Sequence, residues 1–373
     1  MPSHAIIACT HRRTAILCML LLFAAVLNVD ALSMHTLGRT VPTNPKYLQP
    51  RLTDNVLLNR AASEMQIAPP WNAPRWLWST AWKLQTWAVK HLLHKWDHCI
   101  RTDSFLNLSV LWWKAISGNR LGVTNDRGAA YALLPPWTRG IVAFPLCYLY
   151  PNLHHQNVAL RTLFMDRCLR DTLAQHEGGS SHVVAITLGA GFDTRSLRFL
   201  NDYSGGSLDM YELDLPAVTE EKSMVLQRRY LARRPGHRLP SLYGADLNDV
   251  GALSRQLDAI FVEAARKQPQ LREGKRVKVI LLVEAVFMYV GDDAVLPALQ
   301  ACVARAKDFS KDTVFIFSDR FPGILEALGA ANVNKDEEER QLVEGFLSRA
   351  GLRLDNWTPK PGRARHMGTA FAM

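Results

Sequence analysis

From residue 155 onward, apolar runs alternate with helical periodicity, and this constrains the fold more than any other feature of the chain. VVAITL (183–188), LDMYEL (208–213), VKVILLVEA (277–285) and TVFIFS (313–318) are short and largely hydrophobic. Such runs read as strands buried on both faces. Around them, HQNVALRTLFMDRCLRDTLAQH (155–176), DDAVLPALQACVARAK (292–307) and EEERQLVEGFLSRAG (337–351) read as helices. In the first of these, Val158, Leu163, Phe164, Cys168 and Leu169 mark the face expected inside. Strands alternating with helices predict an α/β fold: a doubly wound, Rossmann-like, mostly parallel sheet with helices on both faces. LRLDNW (352–357) and GTAFAM (368–373) are suited to close that sheet as a terminal hairpin.

In a doubly wound sheet, ligands lie outside the carboxyl ends of the strands, so the residues after each run carry the function. Gly189 and Gly191 follow the first run, in LGAGFDTR. A glycine costs about 1 kcal/mol against alanine in a regular element, so its use there implies a need for bare backbone, which a ligand and the next helix N-terminus could share. Asp214 in YELDLP follows LDMYEL, Asp246 in YGADL marks the next strand end along the chain, and Glu284 in LLVEAVFMY ends VKVILLVEA. An acid some 20 positions beyond the glycines suits a ribose diol. Thr194 stands where a dinucleotide fingerprint wants glycine or alanine, and a row of carboxylates repels a pyrophosphate. The row suits instead a ligand with hydroxyls, an amine and a positive charge, as S-adenosylmethionine has. Asp193 also reads as a cap for the helix after the glycines.

At 48% hydrophobic and 21% charged residues, the chain is neither disordered nor coiled-coil in character. Its net charge of +10 raises the question of an anionic partner. The one dense basic cluster, QRRYLARRPGHR (227–238), reads as a solvated loop or helix face. No nucleic-acid-binding signature accompanies it, so nucleic acid is not expected as a partner. The six cysteines form no C-x-x-C pair and lie at no metal-ligand spacing from histidine, so no metal is expected.

His11-Arg12-Arg13, the apolar AILCMLLLFAAVL (15–27) and Val29-Asp30-Ala31 have the anatomy of a cleaved secretory leader over 1–31. An uncleaved signal anchor and the first half of an organelle-targeting sequence are the alternatives, and the mature chain is not expected to insert stably in a membrane. Residues 32–70, dotted with proline, read as a linker or arm. Residues 71–150 read as an N-terminal helical cap: eight of the ten tryptophans lie between 71 and 113. Residues 151–373 form the ligand-binding domain.

LGAGFDTR, YELDLPAV with the following TEEK, GADL and LLVEAVFMYV resemble, in order and spacing, the motifs of the leucine carboxyl methyltransferase family over about 120–300. The resemblance implies an S-adenosylmethionine-dependent methyltransferase with a Rossmann-like sheet. Carried over by position, it implies that Arg161 contacts the cofactor's carboxylate, Gly189 lies beneath the cofactor and Asp214 holds the ribose. It also implies that Asp246 and Leu247 bracket the adenine, with Asp246 taking the exocyclic amine, and that Glu284 lies near the methionine portion. The family's cofactor-binding lysine is missing: counting from Asp126 lands on Tyr131, and Arg127 or Arg120 are the expected substitutes. Arg161 could alternatively pair with Asp166 or with an acid on another helix.

The expected reaction is O-methylation of a carboxylate, on a protein C-terminus or a small molecule, or of a hydroxyl. A carboxylate acceptor needs no general base, only alignment, so no catalytic residue is named. For an alcohol, His154 or Tyr289 would be the bases to test. A catalytically silent relative that binds the cofactor in a structural or regulatory role is the alternative.

Overall fold

The computed structural model describes residues 110–111, 114–115, 127–134, 152–175, 182–203, 207–267, 277–324, 327, 336–359 and 366–373. The leader, the linker and the tryptophans of the cap lie outside the described residues. Among the described residues, no helix is long and apolar enough to cross a membrane.

Seven strands form one sheet. The five parallel strands are β1 (His182–Leu188), β2 (Ser207–Asp214), β3 (Ser241–Gly244), β4 (Val277–Glu284) and β5 (Asp312–Asp319). The terminal hairpin reads correctly from the sequence: β6 (Leu352–Pro359) and β7 (His366–Ala372) pair antiparallel, and β7 also runs antiparallel to β5. The sheet order is β3-β2-β1-β4-β5-β7-β6. Chain order reverses direction between β1 and β4, and a crevice opens at the carboxyl ends of those two neighbours.

Burial follows the apolar runs. Val279 to Val283 in β4 are wholly inaccessible, which a strand covered on both faces requires. Each such side chain contributes about 1.5–3 kcal/mol relative to exposure. On one face, Val184, Ile186, Leu281 and Phe315 pack against α5 (Val250–Lys267), α6 (Asp292–Phe309) and α7 (Asp336–Arg349). On the other, Val183, Ala185, Ile280 and Ile316 pack against α2 (Asn152–Ala174) and α3 (Arg195–Asp202).

Two sequence expectations need correction. In α2, Leu163 is only half-buried, whereas Val158, Phe164, Cys168 and Leu169 are buried as expected. The helix also buries Arg161 and Asp166, so it is a nearly encased element and not a simple two-faced one. The basic cluster is more than a solvated face. The helix α4 (Pro216–Val225) continues through one π turn, Leu226–Tyr230, into Leu231–Arg233. There Arg229 and Arg233 donate to the carbonyl oxygens of Leu133 (3.4 Å) and Ala132 (2.8 Å). Those carbonyls close the last turn of α1 (Arg127–Leu133), where helix geometry leaves acceptors unsatisfied and cations are favoured. Leu111, Ala115 and α1 share a buried cluster with Phe192, Leu197, Val225 and Tyr230, which brings them against the glycine turn.

Candidate functional site

The four strand ends converge on one cavity of about 400 Å³, a size suited to a nucleoside-type ligand. Arg161, Gly189, Asp214, Asp246, Leu247 and Glu284 all line it. The structure thus brings together six residues separated by up to 123 positions in the chain.

Gly189 leaves β1 with φ +59°, a conformation that glycine adopts without penalty. A Cβ there would stand 2.4 Å from Val286 Cγ1, beyond the end of β4. The bare backbone is therefore required by the turn and by Val286 packed over it. Gly191 (φ +46°) directs its N–H to Asp214 Oδ2 at 2.6 Å, and Asp214 Oδ1 accepts the Leu215 N–H at 2.7 Å. Burial raises the Asp214 carboxyl above its ordinary value, and these two N–H groups oppose the rise. Asp214 therefore shapes the glycine turn while still facing the cavity.

Beneath the turn lies a buried ionic network. Glu284 Oε1 accepts from Arg161 Nε at 2.8 Å, and Oε2 from Lys114 at 3.0 Å and from Arg195 Nη2 at 2.7 Å. Arg195 Nε also bonds Asp166 Oδ1 at 2.8 Å, and its Nη1 bonds Asp193. Lys114 reaches Asp193 at 3.2 Å, and Arg198 holds Asp166 at 2.6 Å. Lys222 spans Glu212 at 2.5 Å and the Asp193 carbonyl at 2.8 Å. Burial alone would raise the Glu284 carboxyl, but Lys114, Arg195 and Arg161 outweigh it and hold it well below the usual carboxylate range. Asp193 is likewise lowered against its burial by Arg195 and Lys114. Five cations, Lys114, Arg161, Arg195, Arg198 and Lys222, thus meet four acids, Asp166, Asp193, Glu212 and Glu284.

Several sequence readings are settled by this geometry. Arg161 pairs with Glu284, not with Asp166. Asp193 stands one residue before Thr194, the N-cap of α3, and accepts the first helical N–H, that of Arg195, at 3.0 Å; it belongs to the network as well. Sequence reasoning overlooked one cation of the site, Lys114, almost fully buried and lining the cavity, whereas Arg120 and the side chain of Arg127 lie outside the described residues. Its signal in the sequence was a lone cation inside the apolar stretch VLWWKAI (110–116). Arg195, the last residue of the quoted LGAGFDTR, was also overlooked as a site residue. Among the described residues no group of histidine, cysteine and acidic side chains is arranged to hold a metal.

A mostly parallel seven-stranded sheet with helices on both faces, and with glycine and acids at the strand ends around one cavity, has the form of a Rossmann-like methyltransferase. Residues 151–302 match the model of the leucine carboxyl methyltransferase family, as the motif resemblance indicated. The protein is a methyltransferase, and S-adenosylmethionine is its cofactor. No curated protein matches the chain. Among solved structures, magnesium protoporphyrin IX methyltransferase from Synechocystis PCC 6803 with bound SAH is 11% identical, with a TM-score of 0.35 over 59% of this chain and 87% of that one. The mitomycin 7-O-methyltransferase MmcR is 15% identical, with a TM-score of 0.34 over 86% of this chain and 74% of that one. The antibiotic-resistance methyltransferase Kmr is 15% identical, with a TM-score of 0.33 over 55% and 93%.

Proposed function

We propose that this protein is an O-methyltransferase of the leucine carboxyl methyltransferase type, acting on a carboxylate of a protein C-terminus or small molecule. The observation that carries the reading is the convergence of Gly189, Asp214, Asp246 and Glu284 on one cavity with Arg161 and Lys114 at its base. The donor set fits the cofactor. Arg161 gives only its Nε to Glu284, and its terminal nitrogens have no acceptor among the described residues, which suits them to a ligand carboxylate. Lys114 supplies a second positive charge beside it. Asp214 is the acceptor for the ribose hydroxyls, Asp246 for the exocyclic amine, and Leu247 packs on the adenine. Gly189 forms the floor of the site with Val286 above it.

S-adenosylmethionine supplies a methyl group already activated on a sulfonium, and the acceptor oxygen forms a C–O bond as the C–S bond breaks with its electron pair on sulfur. The chain's own task is then alignment and exclusion of water. Glu284 and Asp193, held as carboxylates by their cations, are poor proton acceptors. An acceptor that arrives ionised makes no demand on them, which favours a carboxylate over a hydroxyl. If a hydroxyl were the acceptor, Tyr289, exposed at the cavity wall, would be the described residue to test as base.

The test uses methyl-labelled S-adenosylmethionine with peptides ending in a free or an amidated C-terminus, alongside small carboxylic acids. Label appearing as a base-labile ester on the free carboxylate is expected. Label carried only by hydroxyl acceptors would overturn the carboxylate reading, and absence of cofactor binding by calorimetry would overturn the whole. We further propose export directed by residues 1–31, which N-terminal sequencing of the native protein tests: a start near Leu32 is expected, and an intact Met1 would refute it.

A further inference from the structure

We propose that Asn248 is a positioning residue that makes the cavity select an amino-substituted purine. The proposal rests on the assignment of Asp246 to the adenine amine. Asn248 stands two residues beyond Asp246, in the loop from β3 to α5, and both ends of its amide are engaged. Its Nδ2 donates to Asp246 Oδ1 at 2.8 Å, and its backbone N–H donates to the same oxygen at 2.9 Å. Its Oδ1 accepts the Gly291 N–H at 2.9 Å, at the start of α6. The partners dictate this orientation, because an ionised carboxylate only accepts and a backbone N–H only donates.

One side chain therefore clasps the loop after β3 to the loop after β4. Asp246, Asn248 and Val290 line the cavity on either side of it. The clasp closes on bare backbone: a Cβ at Gly291 would stand 2.9 Å from Asp293 Oδ1 and 3.3 Å from Asn248 Oδ1.

The chemical consequence falls on Asp246. With Oδ1 receiving two hydrogens from Asn248, Oδ2 is left as the oxygen that meets a ligand. It is acceptor-only, beside the apolar Ala245 and Leu247. At that place it accepts from a 6-amino group and repels a 6-oxo group. Without Asn248, the exposed carboxylate is free to rotate and to be solvated, and the preference for the amine weakens.

The experiment is a calorimetric titration of the full chain with S-adenosylhomocysteine and S-inosylhomocysteine, for the wild type and for Asn248→Ala and Asn248→Asp. Asn248 is exposed, so both variants are expected to fold. The wild type should prefer the adenosyl compound. Asn248→Ala should lose about tenfold in affinity for that compound while its affinity for the inosyl compound is unchanged, as loss of a hydrogen-bond partner implies. Asn248→Asp keeps an acceptor for Gly291 but loses the Nδ2 donor and sets a like charge beside Asp246, so it should fare no better than alanine. Variants that keep the wild-type ratio, whether both affinities hold or both fall together, would overturn the proposal alone. A wild-type protein that binds neither compound would overturn the functional reading and the proposal with it.

Discussion

Arg195 Nη2 donates to Glu284 Oε2 at 2.7 Å, across 89 positions of chain, and the two side chains are only 1% and 5% exposed. The same guanidinium also serves Asp166 and Asp193, so one planar group ties together α2, the glycine turn and the end of β4. An ammonium cannot reproduce that fork. Arg195→Gln should cost roughly 3–5 kcal/mol of stability by leaving buried acids uncompensated. Arg195→Lys should recover only part of the loss. Urea unfolding measures both, and a glutamine variant as stable as the wild type would remove Arg195 from this role.

Acid stability follows from the same network. Glu284, Asp193 and Asp166 are all lowered from ordinary values of 4.5, 3.8 and 3.8. A carboxyl lowered by folding contributes stability that is present above its unfolded value and lost as pH falls through the folded one. Glu212 and Asp214 are raised by burial and act in the opposite sense. The network should therefore hold near neutral pH and weaken below about pH 4.5, with a shallower decline in Arg195→Gln. The melting midpoint across pH 3 to 7 checks this, and a midpoint that climbs as pH falls would contradict it.

On the proposed assignment, Asp214 holds the ribose in its charged form. Its carboxyl is raised above the ordinary 3.8, so S-adenosylmethionine binding should begin to weaken at a pH above that value. Asp214→Asn should bind about 10- to 100-fold more weakly near neutral pH and lose the dependence on acidification. Calorimetry between pH 4.5 and 7 gives both readings. An unchanged affinity in the variant would exclude Asp214 from the ribose.

Gly189 and Val286 offer a direct contest between turn and cradle. Gly189→Ala meets both a positive φ and a methyl 2.4 Å from its new Cβ, for a loss of roughly 2–4 kcal/mol. Val286→Ala removes that methyl, so the double variant should be more stable than the two single losses summed. Strict additivity in thermal or urea unfolding would show that the valine contact is not the constraint.

Behind Val286 stands Asp319, fully buried at the end of β5, whose Oδ2 accepts the N–H groups of Val286 at 2.6 Å and Phe287 at 3.0 Å. Between Val286 and Glu284, Ala285 holds φ +57° without being glycine, a conformation costing of order 1 kcal/mol or more. Asp319→Ala should lower the melting midpoint, and Asp319→Asn, which keeps an acceptor, should lower it less. Equal effects of the two would show that the acceptor is unimportant.

Every strand but the short β3, the helices α2, α6 and α7, the terminal hairpin and the glycine-and-acid strand ends were legible because each is written in neighbouring residues. VVAITL and VKVILLVEA announce buried strands by continuous hydrophobicity, and LGAGFDTR announces a turn by its glycines. That Gly189, Asp214, Asp246 and Glu284 face one cavity followed from the parallel order itself. What local pattern cannot carry is which charges meet. Lys114 lies 170 positions from Glu284, and nothing around VLWWKAI says which acid it will find. Arg161 had Asp166 five residues away and pairs instead with Glu284. Gly189 declared a need for bare backbone, but only the fold names Val286 as one reason, and only the fold turns Arg229 and Arg233 from solvated charges into caps for α1. Ion pairs and close approaches depend on distances between elements, and those distances exist only once the sheet has brought distant segments together.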